Sequence, residues 1–174
     1  MKKFLPILLL AFVSLFIFSC DNRDDNVQYK DSDTVAVMKD ATGSFISSEG
    51  YKLIMDISIE NTDVVLVYRR DPNASNAWQL IPKTYYLSGG RQLDYNFLFS
   101  TKEVEIYTDR IDYNTLSTSE RNQFLNNQTF RVVLVPANAT GQHAKKAAVD
   151  YSDYNAVVKY YNLNDSNVTN TKVN

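Results

Sequence analysis

From Tyr51 to Glu60 the residues fall on two alternating phases. Tyr51, Leu53, Met55, Ile57 and Ile59 occupy one, and Lys52, Ile54, Asp56, Ser58 and Glu60 the other. A repeat of two is the signature of an extended strand with one face in a core and one face in water. The pattern returns downstream. Leu93, Tyr95, Phe97 and Phe99 alternate with Asp94, Asn96, Leu98 and Ser100, and Val104 and Ile106 alternate with Glu103, Glu105 and Tyr107. Phe130, Val132 and Leu134 continue it before Pro136, and Asp63–Arg70 is apolar enough for a central strand. Half-buried strands must close over a shared core. Six to eight of them, separated by turn signals, predict a mainly β fold, an antiparallel β-sandwich with one or two short helices, including one at the C-terminal end.

The punctuation agrees with this. Asp71–Asn76 contains Pro72 and reads as a loop, and Ser88-Gly89-Gly90 reads as a hairpin turn between Thr84–Leu87 and the strand that begins near Leu93. Trp78–Pro82 and Thr84–Leu87 read as two short strands around Pro82. Ser117-Thr-Ser-Glu120 is a capping box, with Phe124 and Leu125 at helical spacing, which predicts a helix from about Thr118 to Asn126. Val149, Tyr154, Val157, Val158 and Tyr161 suit a second helix that covers the sheet. The stretch from Asn164 to Asn174 is rich in Asn, Ser and Thr, and is expected to fray. On the apolar phases, Leu53, Met55, Ile57, Leu93, Phe97, Phe130, Val132 and Leu134 are the expected core.

The first nineteen residues carry a different message. Lys2 and Lys3 precede a mostly apolar run from Phe4 to Phe18, and Ser19 stands before Cys20. This is the layout of a secretory signal peptide. A spanning helix needs roughly 20 apolar residues; this run is shorter, contains Pro6 and stops against Asp21-Asn22-Arg23-Asp24-Asp25. Residues 1–19 are therefore expected to be removed. Residues 20–33 are too polar to bury a core and read as a flexible tether. The folded domain is expected over 34–163. Ile17-Phe18-Ser19-Cys20 resembles a bacterial lipoprotein lipobox, departing from it at Phe18 where a smaller residue is usual. That resemblance implies lipidation at Cys20. The acidic residues after Cys20 resemble surface-export signals of Bacteroidota lipoproteins, and Asp33-Thr34-Val35 resembles their short O-glycosylation motif. The expected address is the cell envelope, on the outer membrane.

The single cysteine excludes an internal disulfide, and its lipidation would leave no thiol for nucleophilic, zinc or redox chemistry. The chain has a net charge of −2, and removal of residues 1–19 takes away two lysines and no acid. A mildly acidic surface without a basic stripe argues against nucleic acid and against electrostatic attraction to anionic lipid.

A further resemblance rests on the order of several segments. These are Asp63–Arg69, Trp78–Pro82, Tyr85–Leu87, Leu93-Asp-Tyr-Asn-Phe97 and Gln128–Pro136. Together they resemble a family of small uncharacterised lipoproteins of flavobacteria and related Bacteroidota, over about Val35 to Leu163. Some members carry collagen-like Gly-X-Y repeats, which this chain lacks. The resemblance implies an address and an architecture, without a mechanism. Some members bear oxidoreductase-type names, including dihydrolipoamide dehydrogenase. The sequence holds no Gly-rich dinucleotide fingerprint and no redox cysteine pair to support one, and no cofactor is expected.

Chemistry-bearing residues are few. His143, the only histidine, sits in the polar stretch Thr140–Lys146 without a Gly-x-Ser-x-Gly elbow, so it reads as a solvated loop residue. Asp94, Glu103, Glu105, Asp109 and Asp112 are close in sequence, and a glycosidase needs only two carboxylates. Asp94, Glu103 and Glu105, however, lie on the polar phase of their strands and read as a solvated face. Asp150, Asp153 and Asn155 lack the order of a calcium loop and read as a helix start. The aromatic residues Trp78, Tyr85 and Tyr86 are the candidate ligand-binding groups. In an extended strand Tyr85 and Tyr86 must point to opposite faces, so one of them is exposed, while Trp78 has the bulk of a core residue. Two readings follow: a lipid-anchored, non-catalytic binding or structural module whose partner is a glycan or an envelope protein, and a small carboxylate-dependent hydrolase on a β-sandwich.

Overall fold

The computed structural model describes residues 35–137 and 149–173. It is a β-sandwich with a helix on one outer face. The five-stranded sheet has the order β4-β3-β8-β1-β9 and the four-stranded sheet the order β2-β7-β6-β5. The strands are β1 (Val37–Gly43), β2 (Lys52–Asp56), β3 (Val64–Asp71), β4 (Ala77–Leu80), β5 (Lys83–Tyr86), β6 (Gln92–Phe99), β7 (Glu103–Asp109), β8 (Gln128–Val135) and β9 (Thr169–Lys172). The helices are α1 (Thr118–Phe124) and α2 (Tyr154–Tyr161).

The alternating segments become β2, β6, β7 and β8, and their apolar phases meet between the sheets. Leu53, Met55, Ile57, Leu93, Phe130, Val132 and Leu134 are buried there, and Phe97 packs against them half-buried. Phe45, Tyr95 and Phe130 form an aromatic centre with ring centroids 5.6–5.9 Å apart. Strand β2 is shorter than the alternation from Tyr51 to Glu60 predicts. It stops at Asp56, but Ile57 and Ile59 keep their inward phase because their N–H groups bond to the carbonyls of Lys102 (2.8 Å) and Thr101 (3.0 Å).

Turn chemistry behaves as the residues demand. Asp71 accepts a hydrogen bond from the N–H of Asn73 and opens a single 3-10 turn at Pro72–Ala74, which joins β3 to β4. Gly89 and Gly90 sit at φ 71° and 74°, a region that glycine enters without strain, and they join β5 to β6. Ile81 and Pro82 carry the chain from the five-stranded sheet to the four-stranded one, so the two short strands around Pro82 end up in different sheets. Both halves of the capping box form at α1. Ser117 Oγ accepts from the N–H of Glu120 (3.2 Å), and Glu120 accepts from the N–H of Ser117 (2.8 Å). Phe124 and Leu125 then enter the inter-sheet core.

A second apolar layer lies on the outer face of the five-stranded sheet. Leu66, Tyr68, Val133 and Val135 face Tyr154 and Val157 of α2. The helix begins at Tyr154, later than the apolar pattern from Val149 predicts, because Asp153 is its N-cap (Oδ1 accepting from the N–H of Ala156, 3.1 Å).

Two findings correct the sequence reading. Nine strands are present among the described residues, where six to eight are expected, because β1 and β9 are too polar to announce themselves. The segment from Asn164, expected to fray, instead supplies β9, which runs parallel to β1 from Lys39↔Thr169 to Thr42↔Lys172. Val173 follows it into the core at 7% exposure, and its N–H bonds to the carbonyl of Thr42 (3.0 Å). Backbone pairing and one apolar residue at the end order a strand whose own side chains are all exposed.

Candidate functional site

Among the described residues, one concavity lies where the start of β4 meets the start of α2. Its volume is about 380 Å³, and its walls include Trp78, Ser152, Asp153, Tyr154, Asn155 and Asp165. β4 carries Trp78, and the N-terminus of α2 delivers Tyr154 and Asn155. The chain beyond α2 returns Asp165 to the same place. Tyr154 is buried and Trp78 half-buried, while the four polar residues are exposed.

The two aromatic residues are braced from below. In the five-stranded sheet Asp40 of β1 stands opposite Arg131 of β8. Arg131 forms a bidentate pair with Asp40 (2.7 and 2.9 Å) and donates to the Tyr154 hydroxyl. That hydroxyl lies 3.3 Å from Asp165 Oδ2, to which it donates. The Trp78 ring lies on the Arg131 guanidinium, 4.3 Å from centroid to carbon, and 5.8 Å from the Tyr154 ring. Burial raises the Tyr154 hydroxyl above its usual titration range, with Arg131 opposing the rise. It therefore remains protonated at neutral pH and acts as a donor. The cleft thus offers an aromatic wall held at a fixed angle, beside carboxylates, an amide and a hydroxyl. This combination suits the faces and hydroxyl groups of a polyhydroxylated ligand.

The three aromatic candidates from the sequence do not form one patch. Trp78 belongs to the cleft on the outer side of the five-stranded sheet. Tyr85 points between the sheets, and Tyr86, on the opposite phase, is 79% exposed on the outer face of the four-stranded sheet. The alternation of Tyr85 and Tyr86 is as expected; the separation from Trp78 follows from the crossover at Pro82.

Tyr85 joins a polar cluster enclosed in the core. Arg69 has 0% exposure and donates to Gln128 Oε1 (2.8 and 3.1 Å), the Gln123 carbonyl (2.9 Å) and the Tyr85 hydroxyl (3.0 Å). Asp71 Oδ2 lies 3.3 Å from its guanidinium. The rings of Tyr85, Tyr95 and Phe124 surround it at 4.9–5.7 Å. Every donor direction is filled by the protein itself, so this cluster fixes the core.

Cys20, His143, Asp33 and Thr34 lie outside the described residues. Glu105 is bound to Lys52 (3.0 Å) and Asp94 to Arg110 (3.0 Å), while Glu103 is exposed. Asp109 and Asp112 accept from nearby backbone N–H groups. Asp150 accepts from Ser152 at the approach to α2. Among the described residues no cluster of three or more His, Cys, Asp or Glu side chains is placed to hold a metal ion. No described helix is long and apolar enough to cross a membrane.

Sequence reasoning missed Arg69, Arg131, Tyr154 and Asp165. A signal existed for the two arginines: each interrupts an apolar strand, in Val-Val-Leu-Val-Tyr-Arg69 and in Phe-Arg131-Val-Val-Leu-Val. A charge inside such a run needs a buried partner. No family model, curated protein or solved structure matches the chain.

Proposed function

We propose that this chain is a lipid-anchored, non-catalytic binding module of the cell envelope, held at the outer membrane through Cys20, and that the Trp78 cleft receives a glycan-like ligand. The observation that carries this reading is the braced aromatic wall beside exposed polar groups. The cleft acids support binding over turnover, because both are engaged. Asp153 caps α2, and Asp165 accepts from Tyr154. The address rests on the charged, apolar and small-residue order ahead of Cys20. In cells fed a clickable fatty acid, the wild-type chain takes up label and Cys20→Ala does not. Equal labelling of the two overturns the anchor.

Trp78 is the only tryptophan, so its emission reports on the cleft directly. Titrating the full chain in detergent with a panel of soluble mono- and disaccharides produces a saturable emission change with at least one of them. Asp165→Asn weakens that titration about tenfold, the usual loss when a charged hydrogen-bond acceptor is neutralised. A flat response across the panel overturns the glycan reading. The alternative is a carboxylate-dependent hydrolase, favoured by the presence of Asp153 and Asp165 in one cleft. Glycoside turnover that disappears in both Asp153→Asn and Asp165→Asn establishes that alternative.

A further inference from the structure

The outer face of the four-stranded sheet lies on the opposite side of the sandwich from α2 and carries a second, differently built constellation. Its residues can be placed by register. Tyr86 of β5 pairs with Gln92 of β6, Thr84 with Asp94, Asp94 with Asp109 of β7, and Asn96 with Tyr107. Counting along the strands, Asp94 falls at the midpoint of the diagonal from Tyr86 to Tyr107. With strands about 4.8 Å apart and a rise of about 3.4 Å per residue, the two tyrosines are roughly 17 Å apart at their Cα atoms. That span is several times the width of one sugar ring.

Three observations describe the strip between them. Tyr86 is 79% exposed and Tyr107 half-buried, and neither side chain has a hydrogen bond or ring contact among the described residues. At the midpoint, Asp94 Oδ2 pairs with Arg110 Nε at 3.0 Å, while Asp94 Oδ1 is the one buried side-chain acceptor among the described residues that lacks a donor. An unpaired buried acceptor carries a desolvation cost, and an incoming donor relieves it. Arg110 holds Oδ2 and also donates to Gln92 Oε1 (3.5 Å); its side chain is 64% exposed, so a small shift opens Oδ1 to a donor while the pair on Oδ2 stays. The remaining groups on the strip are Thr84, Gln92 and Asn96. Charge nearly cancels along the diagonal, where Asp94 meets Arg110 and Asp109 alone is left over. Of the other acids on this face, Glu105 is paired with Lys52, and Asp56 and Glu103, without an ion pair among the described residues, stand opposite each other at the far end of the sheet. A near-neutral strip with a ring at each end and a hydroxyl-seeking carboxylate between them selects against both polyanions and polycations.

We infer that this face binds an extended, uncharged oligosaccharide along the line Tyr86–Asp94–Tyr107, stacked on both rings and donating a hydroxyl to Asp94 at its centre. The inference rests on the binding-module reading and extends it from a short ligand in a cleft to a polymer on a sheet. The two sites have separate reporters. Trp78 emission follows the cleft, and calorimetric heat without an emission change follows the face.

The test titrates the full chain in detergent with neutral glucan, chitin and xylan oligomers of two, four and six units, alongside polygalacturonate and polylysine. For one neutral series, affinity rises with length up to six units, without a change in Trp78 emission. Tyr86→Ala and Tyr107→Ala each weaken hexamer binding roughly tenfold and dimer binding less, as expected when one ring of two is lost. Asp94→Asn, which turns part of the acceptor into a donor, weakens both lengths. Circular dichroism melts confirm that the variants are folded, and Tyr86→Ala removes a side chain too exposed to matter to the core. Binding without length dependence, unchanged affinity in both tyrosine variants, or preference for polygalacturonate or polylysine overturns the inference. Heats that always accompany an emission change and vanish in Asp165→Asn also overturn it, while leaving the cleft reading intact.

Discussion

Replacing Arg69 with Met lowers the unfolding free energy by about 3–5 kcal/mol, the range found when one partner of a buried ionic cluster is removed. The guanidinium has 0% exposure and serves Gln128, Tyr85, the Gln123 carbonyl and Asp71 together. Met fills much of the volume but supplies no donor, so Asp71 is left as a buried charge without its cation. The double variant Arg69→Met/Asp71→Leu recovers part of the loss, because it removes the orphaned carboxylate as well. Urea melts followed by circular dichroism measure both effects. A single-variant loss below about 1 kcal/mol, the scale of an ordinary neutral hydrogen bond, shows that the cluster is not cooperative. A double variant no more stable than the single one shows that Asp71 is not the source of the cost.

Phe130→Ala costs about 3–5 kcal/mol for a different reason. The ring has 0% exposure and packs between Phe45, edge-on at 5.9 Å, and Tyr95 at 5.6 Å. Both neighbours are anchored elsewhere. Tyr95 donates its hydroxyl to the Phe124 carbonyl at 2.6 Å, and the N–H of Phe45 bonds to the Leu125 carbonyl at 2.9 Å. Neither ring is free to collapse into the space that Ala leaves, so the cavity persists and its cost adds to the lost transfer energy. Phe130→Leu, which leaves a smaller void, costs less. A denaturant midpoint for Phe130→Ala within about 1 kcal/mol of wild type, read at unchanged slope, contradicts this account.

The parts of the fold visible in the sequence were those in which a residue's own chemistry decides its position. A period of two places Leu53, Leu93 and Val132 inward whatever their partners are. Ser117 and Glu120 cap a helix through contacts three residues apart, and Gly89-Gly90 permits a turn that other residues resist. What stayed hidden depends on pairs distant in sequence. Asp40 in β1 makes sense only with Arg131, 91 residues away, and together they turn a polar interruption in two strands into the support of the cleft. Trp78 reads as core from its bulk, and its half-buried place stayed hidden because Arg131 and Tyr154, which hold it there, come from other elements. β9 carries no apolar alternation at all, since its order comes from backbone partners on β1. The diagonal from Tyr86 to Tyr107 was beyond reach for the same reason: it exists only once the register of three strands is known.

The parallel pairing of β1 with β9 also determines how this domain responds to force. The first and last strands of the described domain lie side by side and run in the same direction. The chain therefore enters β1 at one end of the sheet and leaves β9 at the other. Tension between those two ends acts along the strands, and the rungs between them must slide and break together. An antiparallel pairing of the same two strands would place both ends at one edge, where the ladder opens like a zipper, one rung at a time. For a domain pulled between its two ends, the arrangement converts a short, polar edge strand into a mechanical clasp.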